Sequence, residues 1–187
     1  MDDRQRLLGI IRTRSFRQGG AFTLASGRTS SIYFNLKPTM LDPDGARLVG
    51  AAVAAKARAL GATHVGGLEM GAVPIVAAAA AMSAVAGDPV RAFFIRKQAK
   101  EHGTKSLLEG LAENETLSGT RVVVVEDVTT TGGSAMKAID VIRDAGGTVG
   151  DVVTILDREE GATEAFRAAG IALHPLFRKS EFGNDLA

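Results

Sequence analysis

The sequence contains no cysteine. This absence excludes disulfides, zinc–thiolate sites, iron–sulfur clusters and thiol catalysis, and it agrees with a reducing compartment such as the cytoplasm. The sequence also has no large excess of positive or negative charge, because it contains 22 Lys and Arg and 21 Asp and Glu. A chain with a formal net charge of +1 lacks the basic surface of a nucleic-acid coat, so we expect no nucleic-acid partner.

Signals for export, membrane insertion and division into domains are also missing. The N-terminus Met-Asp-Asp-Arg-Gln-Arg is charged at once, unlike a signal peptide. The uncharged stretch 70–87 is rich in alanine, contains Pro74 and lacks flanking anchors, which favours a buried helix over a membrane span. We therefore expect one cytoplasmic domain over residues 1–187 without a membrane partner. Its N-terminal part would cover about residues 1–40, and its core would cover residues 41–187.

Strand and helix patterns alternate along the core. The unbroken valine run 122–125 is typical of a strand that is covered on both faces, as in a parallel sheet. The sequence therefore predicts an α/β fold with a doubly wound, mainly parallel sheet flanked by helices, whose ligands lie at the carboxyl ends of the strands. The predicted strands are 63–68, 90–95, 121–125, 149–156 and 171–177, and the predicted helices are 4–16, 46–60 (capped by Asp42), 74–86, 134–145 and 159–169.

Two acidic residues, Glu126 and Asp127, follow the valine run directly. Placing two carboxylates at the end of a buried strand costs free energy unless hydroxyl groups, a cation or water compensate them. The pair therefore indicates a binding site. The alternative, an exposed turn whose acids only increase solubility, leaves the residues that follow unexplained.

Those residues combine hydroxyl groups and glycines immediately before a predicted helix. Backbone amides in such a loop, together with the partial positive charge of a helix N-terminus, form a phosphate-binding site. Neither a Walker A sequence nor a Gly-x-Gly-x-x-Gly fingerprint is present. A ligand with a phosphate for the loop and vicinal hydroxyls for the acids is a ribose 5-phosphate. The loop residues are Val128, Thr129, Thr130, Thr131, Gly132, Gly133 and Ser134.

The segment 122–134 resembles the phosphoribosyl-pyrophosphate (PRPP) signature of type I phosphoribosyltransferases. This resemblance implies the type I phosphoribosyltransferase fold with a small N-terminal hood. It also implies that Glu126 and Asp127 hold the ribose hydroxyls, with Asp127 catalytic, and that residues 128–134 hold the 5′-phosphate. Mg²⁺ would be carried by pyrophosphate and ribose oxygens, without a dedicated cluster of protein ligands.

A basic segment follows the predicted strand 90–95 and contains Arg96, Lys97, Lys100 and His102. Taken alone, it could be a solvated surface loop. Its pattern Arg-Lys-x-x-Lys-x-His-Gly resembles the orotate phosphoribosyltransferases. The resemblance implies a homodimer in which Arg96, Lys100 and His102 contact pyrophosphate, Lys100 and His102 are catalytic, and Lys97 acts across the interface.

Two further segments resemble the same family. Residues 22–37 resemble its hood, which implies that Tyr33 and Phe34 contact orotate, although these aromatics could also be core residues. Residues 157–161 resemble the first five positions of its Asp-Arg-x-Glu-x-Gly segment, which implies that Arg158 binds the orotate carboxylate and Thr130 lies beside the base. The alternative for Arg158 is a surface pair with Glu160.

The chain departs from the family pattern at three positions. Ala25 and Met70 stand where some members have lysine, and Glu126 stands where aspartate is common. Lys37 is the candidate that replaces the missing cations.

The resemblance implies transfer of ribose 5-phosphate from PRPP to orotate, in pyrimidine (UMP) biosynthesis. The alternatives are another nucleobase phosphoribosyltransferase and a PRPP-sensing regulator that binds nucleic acid. His64 and His174 lie in apolar strand contexts and are interpreted as packing or capping residues.

Overall fold

The computed structural model describes residues 2–23, 29–98 and 106–183. The helices within these ranges are α1 (Asp3–Arg14), α2 (Lys37–Met40), α3 (Pro43–Ala59), α4 (Ala72–Val85), α5 (Gly133–Asp144) and α6 (Ala162–Ala168). The strands are β1 (Phe16–Thr23), β2 (Thr29–Phe34), β3 (His64–Gly66), β4 (Arg91–Ala92), β5 (Phe94–Ile95), β6 (Leu108–Glu109), β7 (Arg121–Thr129), β8 (Thr148–Asp157) and β9 (Ala172–Arg178). A short 3-10 helix follows at Lys179–Glu181.

The central sheet has five strands in the order β4-β3-β7-β8-β9, and every neighbouring pair is parallel. The strand order reverses between β3 and β7, because the chain moves outward from β3 to β4 and then returns to the other side of β3. In doubly wound sheets the crevice for a ligand opens at this reversal, outside the carboxyl ends of the two strands. The predicted parallel α/β architecture is confirmed.

The valine run of β7 is apolar throughout because both faces of the strand are covered. Val123 and Val125 belong to a core that also contains Val53 of α3 and Ile75 of α4. Val122 and Val124 belong to a second core with Ile139 of α5 and Phe166 of α6. The two cores lie on opposite faces of the sheet, so the strand presents valine to both.

The N-terminal part consists of α1 and the antiparallel hairpin β1–β2. The buried residues Leu7 and Ile11 anchor α1 in the same core as Val53. At the end of the hairpin, Phe16 and Phe34 are register partners whose rings lie 5.2 Å apart. Across the described part of the chain, no helix has the length and apolar character needed to cross a bilayer.

The predicted helix boundaries are mostly right, with one informative difference. Asp42 caps α3 as expected, since its Oδ1 accepts the amide hydrogens of Asp44 at 3.1 Å and Gly45 at 3.0 Å. The helix expected from residue 159 begins only at Ala162. Glu159 has φ 59° and Gly161 has φ 101°. These left-handed conformations are incompatible with a right-handed helix, so residues 159–161 lie outside α6.

The strand predicted at 90–95 is wrong as a single element. The structure divides it into β4, at the edge of the central sheet, and β5, which pairs antiparallel with β6. Phe93 separates the two pieces, and its buried ring packs over Gly66, where a Cβ atom would lie 2.3 Å from it. The strand β7, predicted to end at Val125, extends to Thr129, so Glu126 and Asp127 are strand residues.

Gly50 is the point of closest approach between α3 and α4, because a Cβ atom there would lie 2.5 Å from the carbonyl oxygen of Ala78. We expect Gly50→Ala to lower the free energy of unfolding by about 1–3 kcal/mol, since the helices must separate. Gly9 lies in α1 with no atom within 4 Å of the corresponding position. Gly9→Ala should therefore raise the free energy of unfolding by about 0.5–1 kcal/mol. Urea denaturation measures both, and equal effects would contradict the close approach.

Candidate active site

A crevice opens at the reversal of strand order. One cavity of about 260 Å³ lies between the residues that follow β3 and the end of β7. A second cavity of about 290 Å³ lies against the loop from β7 to α5, and both cavities contact Glu126, Val128 and Ser134. The first is lined by Lys37, Leu68, Glu69, Met70, Gly71, Lys97, Glu126, Asp127, Val128 and Ser134.

The acidic pair forms one wall of the first cavity, and Glu126 also lines the second. Glu126 is 8% exposed, and its Oε2 atom is buried without a hydrogen-bond partner. Burial, together with repulsion from the Asp127 carboxylate, raises the pKa of Glu126 to about 8, although the nearby Lys97 acts in the opposite direction. The amide of Val128 donates to Oδ1 of Asp127 at 2.9 Å. Glu126 therefore has free acceptor capacity in a largely dehydrated position, beside the half-buried Asp127.

Gly71 allows this wall to form. A Cβ atom at position 71 would lie 2.5 Å from Oδ1 of Asp127 and 3.1 Å from Oε1 of Glu126. Any larger residue would displace the carboxylates, so glycine is required by close approach. The sequence gives no sign of this role, because residues 126 and 127 lie more than 50 positions from Gly71.

The second cavity is formed by the loop that precedes α5. Gly132 adopts φ 86° and caps α5 through its backbone. The first amides of a helix have no partner within the helix, which makes this end a favourable place for a phosphate. The lining residues are Glu126, Val128, Thr129, Thr130, Thr131, Gly132, Gly133, Ser134, Ala135 and Lys137. The predicted PRPP loop is thus brought together around one concave surface.

Thr129 differs from the other loop residues because its side chain points away from solvent. It is 2% exposed, and its Oγ1 atom is buried without a hydrogen-bond partner. Its neighbour across the strands is Asp157, which is 1% exposed. Burial raises the pKa of Asp157, although Arg178 Nη1 lies 3.6 Å from its Oδ2 atom. Thr129 therefore supports the base of the loop rather than offering its hydroxyl to the cavity.

The predicted cations are distributed unevenly around the crevice. Lys37 and Lys97 both line the first cavity, and the amide of Lys97 donates to Oε1 of Glu69 at 2.8 Å. Arg96 lines neither cavity. Its guanidinium donates to the carbonyl oxygen of Gln98 at 3.2 Å and lies 3.8 Å from the carboxylate of Glu109. Lys100 and His102 lie outside the described residues, as does Ala25.

Of the residues expected to contact the acceptor, Thr130 lines the second cavity, whereas Arg158, Tyr33 and Phe34 lie outside both cavities. Arg158 is 6% exposed, its amide donates to the carbonyl oxygen of Thr129 at 2.9 Å, and its Nε donates to Glu160 at 2.9 Å. Tyr33 is exposed on the hairpin, where its ring stacks 5.4 Å from that of Phe22. The ring of Phe34 is buried among other phenylalanines, which leaves only the backbone of Phe34 for a ligand.

The two histidines are engaged within the sheet. His64 Nδ1 lies 2.8 Å from Oγ1 of Thr63, and burial lowers the pKa of His64. His174 Nε2 lies 2.8 Å from Oδ1 of Asp151. Neither lines the crevice.

Similarity to known proteins places the chain in a family. A model of the phosphoribosyl transferase domain matches residues 43–166. An orotate phosphoribosyltransferase from Bradyrhizobium sp. (strain ORS 278) is 56% identical over 96% of this chain and 96% of its own length. This chain belongs to the orotate phosphoribosyltransferase family. A family member from Thermosynechococcus vestitus (strain NIES-2133 / IAM M-273 / BP-1) is 43% identical over 96% of this chain and 93% of its own.

Solved structures of the family agree with the fold. The orotate phosphoribosyltransferase of Mycobacterium tuberculosis H37Rv, in complex with Fe(III) dicitrate, has a TM-score of 0.84 and 36% identity, covering 98% of this chain and 100% of that one. The complex of that enzyme with PRPP has a TM-score of 0.76 and 30% identity, covering 97% and 92%. The adenine phosphoribosyltransferase from Leishmania tarentolae, at 15% identity and a TM-score of 0.66 over 96% and 90%, shares the fold alone. The expected type I phosphoribosyltransferase fold is confirmed.

Two residues of the candidate site in this orotate phosphoribosyltransferase family member were not predicted from the sequence. Glu69 orients the backbone of Lys97, and Lys137 lines the phosphate-sized cavity from the first turns of α5. A signal for Lys137 was available, because it lies three and four residues after Ser134 and Gly133 and therefore on the same side of the helix. Glu69 had no local signal, since its partner lies 28 residues away.

The raised pKa of Glu126 makes a testable statement about stability. The ordinary pKa of a glutamate is 4.5, and the pKa of Glu126 in the folded chain is about 8. Between these two pH values, Glu126 holds a proton in the folded chain that it has released in the unfolded chain. The free energy of unfolding should therefore fall as the pH rises through this range. Glutamine does not titrate, so Glu126→Gln removes this pH dependence. We expect the free energy of unfolding of the variant, minus that of the parent, to increase by roughly 1–4 kcal/mol as the pH rises through this range.

Urea denaturation at several pH values measures this effect. Glu113→Gln makes the same chemical change at an exposed position and should keep the parent's pH profile. An unchanged slope in Glu126→Gln would show that Glu126 is ionised in the folded protein.

Proposed function

We propose that this chain transfers ribose 5-phosphate from PRPP to orotate, giving orotidine 5′-phosphate and pyrophosphate in pyrimidine biosynthesis. Residues 1–187 would act as a single domain, with about residues 1–40 as helix and hood and residues 41–187 as core. The observation that carries the proposal is the acidic pair in the wall of the first cavity, with the orphaned Oε2 of the buried Glu126, which also lines the second cavity. The two adjoining cavities offer acceptors for a diol and a phosphate-binding loop.

The proposed binding mode places the ribose against the acidic pair and the 5′-phosphate in the loop. The ribose hydroxyls would donate to Glu126 and Asp127, which would give Oε2 of Glu126 the partner it lacks. The 5′-phosphate would accept hydrogen bonds from the amides of residues 128–134 and from the hydroxyls of Thr130 and Ser134. Lys137, on the cavity wall, would balance its charge.

The residues present fit a magnesium ion that arrives with the substrate. The described part of the chain holds no group of three or more His, Asp or Glu side chains that could enclose a metal. Mg²⁺ keeps several waters and prefers phosphate oxygens, so PRPP itself would supply its ligands, beside Asp127 in the cavity wall. When bound, the ion would neutralise the charge of the pyrophosphate.

The cations of the first cavity would stabilise the leaving group. Lys97 and Lys37 line the first cavity, where pyrophosphate would lie. Negative charge grows on pyrophosphate as its bond to the ribose breaks, so fixed cations there stabilise the transition state more than the substrate. We propose the same role for Arg96, Lys100 and His102, with Lys100, His102 and Asp127 as catalytic residues.

The acceptor would bind between the phosphate loop and the hood. Arg158 follows Asp157, the register partner of Thr129, which places it beside the loop. A guanidinium can hold both oxygens of the orotate carboxylate, whereas Lys could offer only a single point of charge. Thr130, Tyr33 and the backbone of Phe34 would complete the acceptor site.

An absorbance assay tests the acceptor. The purified protein is incubated with PRPP, Mg²⁺ and orotate, and parallel reactions contain adenine, hypoxanthine or uracil. We expect turnover with orotate only. Turnover of another base would keep the PRPP site and refute the acceptor assignment, whereas silence with every base, together with PRPP-sensitive nucleic-acid binding, would favour a regulator.

We further propose a homodimer in which Lys97 is shared between neighbouring sites. Lys97 also lines the cavity of its own chain, so action within one subunit is the competing arrangement. Mixing inactive Lys97→Ala protein with inactive Asp127→Asn protein separates the two. In a shared arrangement, one site of each hybrid dimer contains both native residues, and about a quarter to a half of the parental activity per hybrid should return.

Subunit exchange must be verified in this experiment, for example by co-purification of two different tags. No recovery in verified hybrids would show that Lys97 acts within its own subunit.

A further inference from the structure

Glu159 has an unusual backbone conformation next to the proposed acceptor residue Arg158. It is the one non-glycine residue with positive φ, 59°, in the described ranges. The amide of Glu159 donates to Oδ1 of the buried Asp157 at 2.9 Å. Non-glycine residues keep such conformations only where their surroundings hold them, and they are concentrated at functional sites.

The side chain of Glu159 binds a distant part of the chain. Its two carboxylate oxygens accept hydrogen bonds from Ser180, one from the amide at 2.9 Å and one from the hydroxyl at 3.2 Å. Ser180 is the middle residue of the 3-10 helix Lys179–Glu181. Glu159 therefore connects the segment after β8 to the segment after β9.

The 3-10 helix is in turn connected to the N-terminal part of the chain, which consists of α1 and the hairpin β1–β2 of the hood. Its last residue, Glu181, accepts hydrogen bonds from Arg4 at 2.5 Å and from Arg12 at 2.7 Å, both in α1. The next residue, Phe182, lies 5.6 Å from the ring of Phe16 and 5.2 Å from that of Phe34. These rings form the base of the hairpin β1–β2.

On its other side, Glu159 is joined to the phosphate loop. Arg158 donates its amide to Thr129, so the segment that carries Glu159 is hydrogen-bonded to the strand that leads into the loop. One continuous set of contacts therefore runs from the loop through Glu159 and Ser180 to the hood.

We propose that Glu159 is a positioning residue that sets the spacing between Arg158 and the hood, and thereby the affinity for the acceptor. This inference rests on the proposed function. Glu159 acts through Arg158 and the 3-10 helix without touching either substrate. Its effect is therefore selective for orotate, since PRPP binds at the acidic pair and the loop.

Charge alone predicts the opposite result. Removing an acidic side chain beside a site for an anionic acceptor lowers repulsion, which would lower the KM for orotate. Loss of the positioning contact, in contrast, would raise the KM for orotate. The sign of the change therefore distinguishes the two explanations.

Steady-state kinetics of Glu159→Ala and Glu159→Gly test the proposal. We expect both to raise the KM for orotate about threefold to tenfold, with the KM for PRPP within about twofold of the parent. Glycine adopts positive φ without strain, so Glu159→Gly removes the side-chain contact while keeping the backbone conformation and a folded protein. Glu159→Gln keeps an acceptor for Ser180 and should restore most of the affinity.

Glu164→Ala is the matched control, because it removes an acidic side chain from the adjacent helix α6, where Glu164 forms an exposed pair with Arg167. It should leave both KM values unchanged. Parallel increases in the two KM values, a decrease in the KM for orotate, or no change in Glu159→Gly would each overturn the positioning role. If the parent protein itself does not use orotate, the proposed function fails first, whereas an active parent with unselective variants refutes only the role of Glu159.

Discussion

The proximity of two carboxylates at the end of β7 constrains the rest of the candidate site. Glu126 is almost fully buried, so the free energy of its ionisation depends on what surrounds it. The neighbouring elements supply that environment: Gly71 leaves room for the pair, and Lys97 provides positive charge. Both acids line the first cavity, and Glu126 also lines the second. A ligand that contacts both the acidic pair and the phosphate loop therefore extends into both cavities.

Features carried by consecutive residues were predictable from the sequence. The valine run identifies β7 because both faces of a parallel strand are covered, and the acids and the Thr/Gly loop follow it directly. Asp42 identifies the start of α3 because capping is a local interaction. The position of the crevice follows from these elements and from the rule that ligands bind at the carboxyl ends of the strands, whereas the order of the strands was not predicted.

Features that depend on distant partners were not predictable. The burial of Phe34 results from rings that come from both ends of the chain, Phe16 and Phe182. The division of the strand 90–95 depends on pairing between Ile95 and Leu108 and on the space that Gly66 leaves for Phe93. Neither Glu69 nor Glu159 has a sequence neighbour that reveals its partner. In each case the decisive contact joins residues that no short window of sequence contains.

The contacts of the C-terminal 3-10 helix also bear on the order in which the protein is built. Arg4 and Glu181 are separated by 177 positions in the sequence, and Phe182 is needed to complete the ring cluster beneath the hairpin. Strands β3 and β7, with the loop into α5, are all synthesised before residue 145. On the ribosome the residues of the phosphate-binding loop are therefore present before Glu181 and Phe182, which contact α1 and the rings of Phe16 and Phe34. The packing beneath the hairpin is therefore among the last contacts of the molecule that can form.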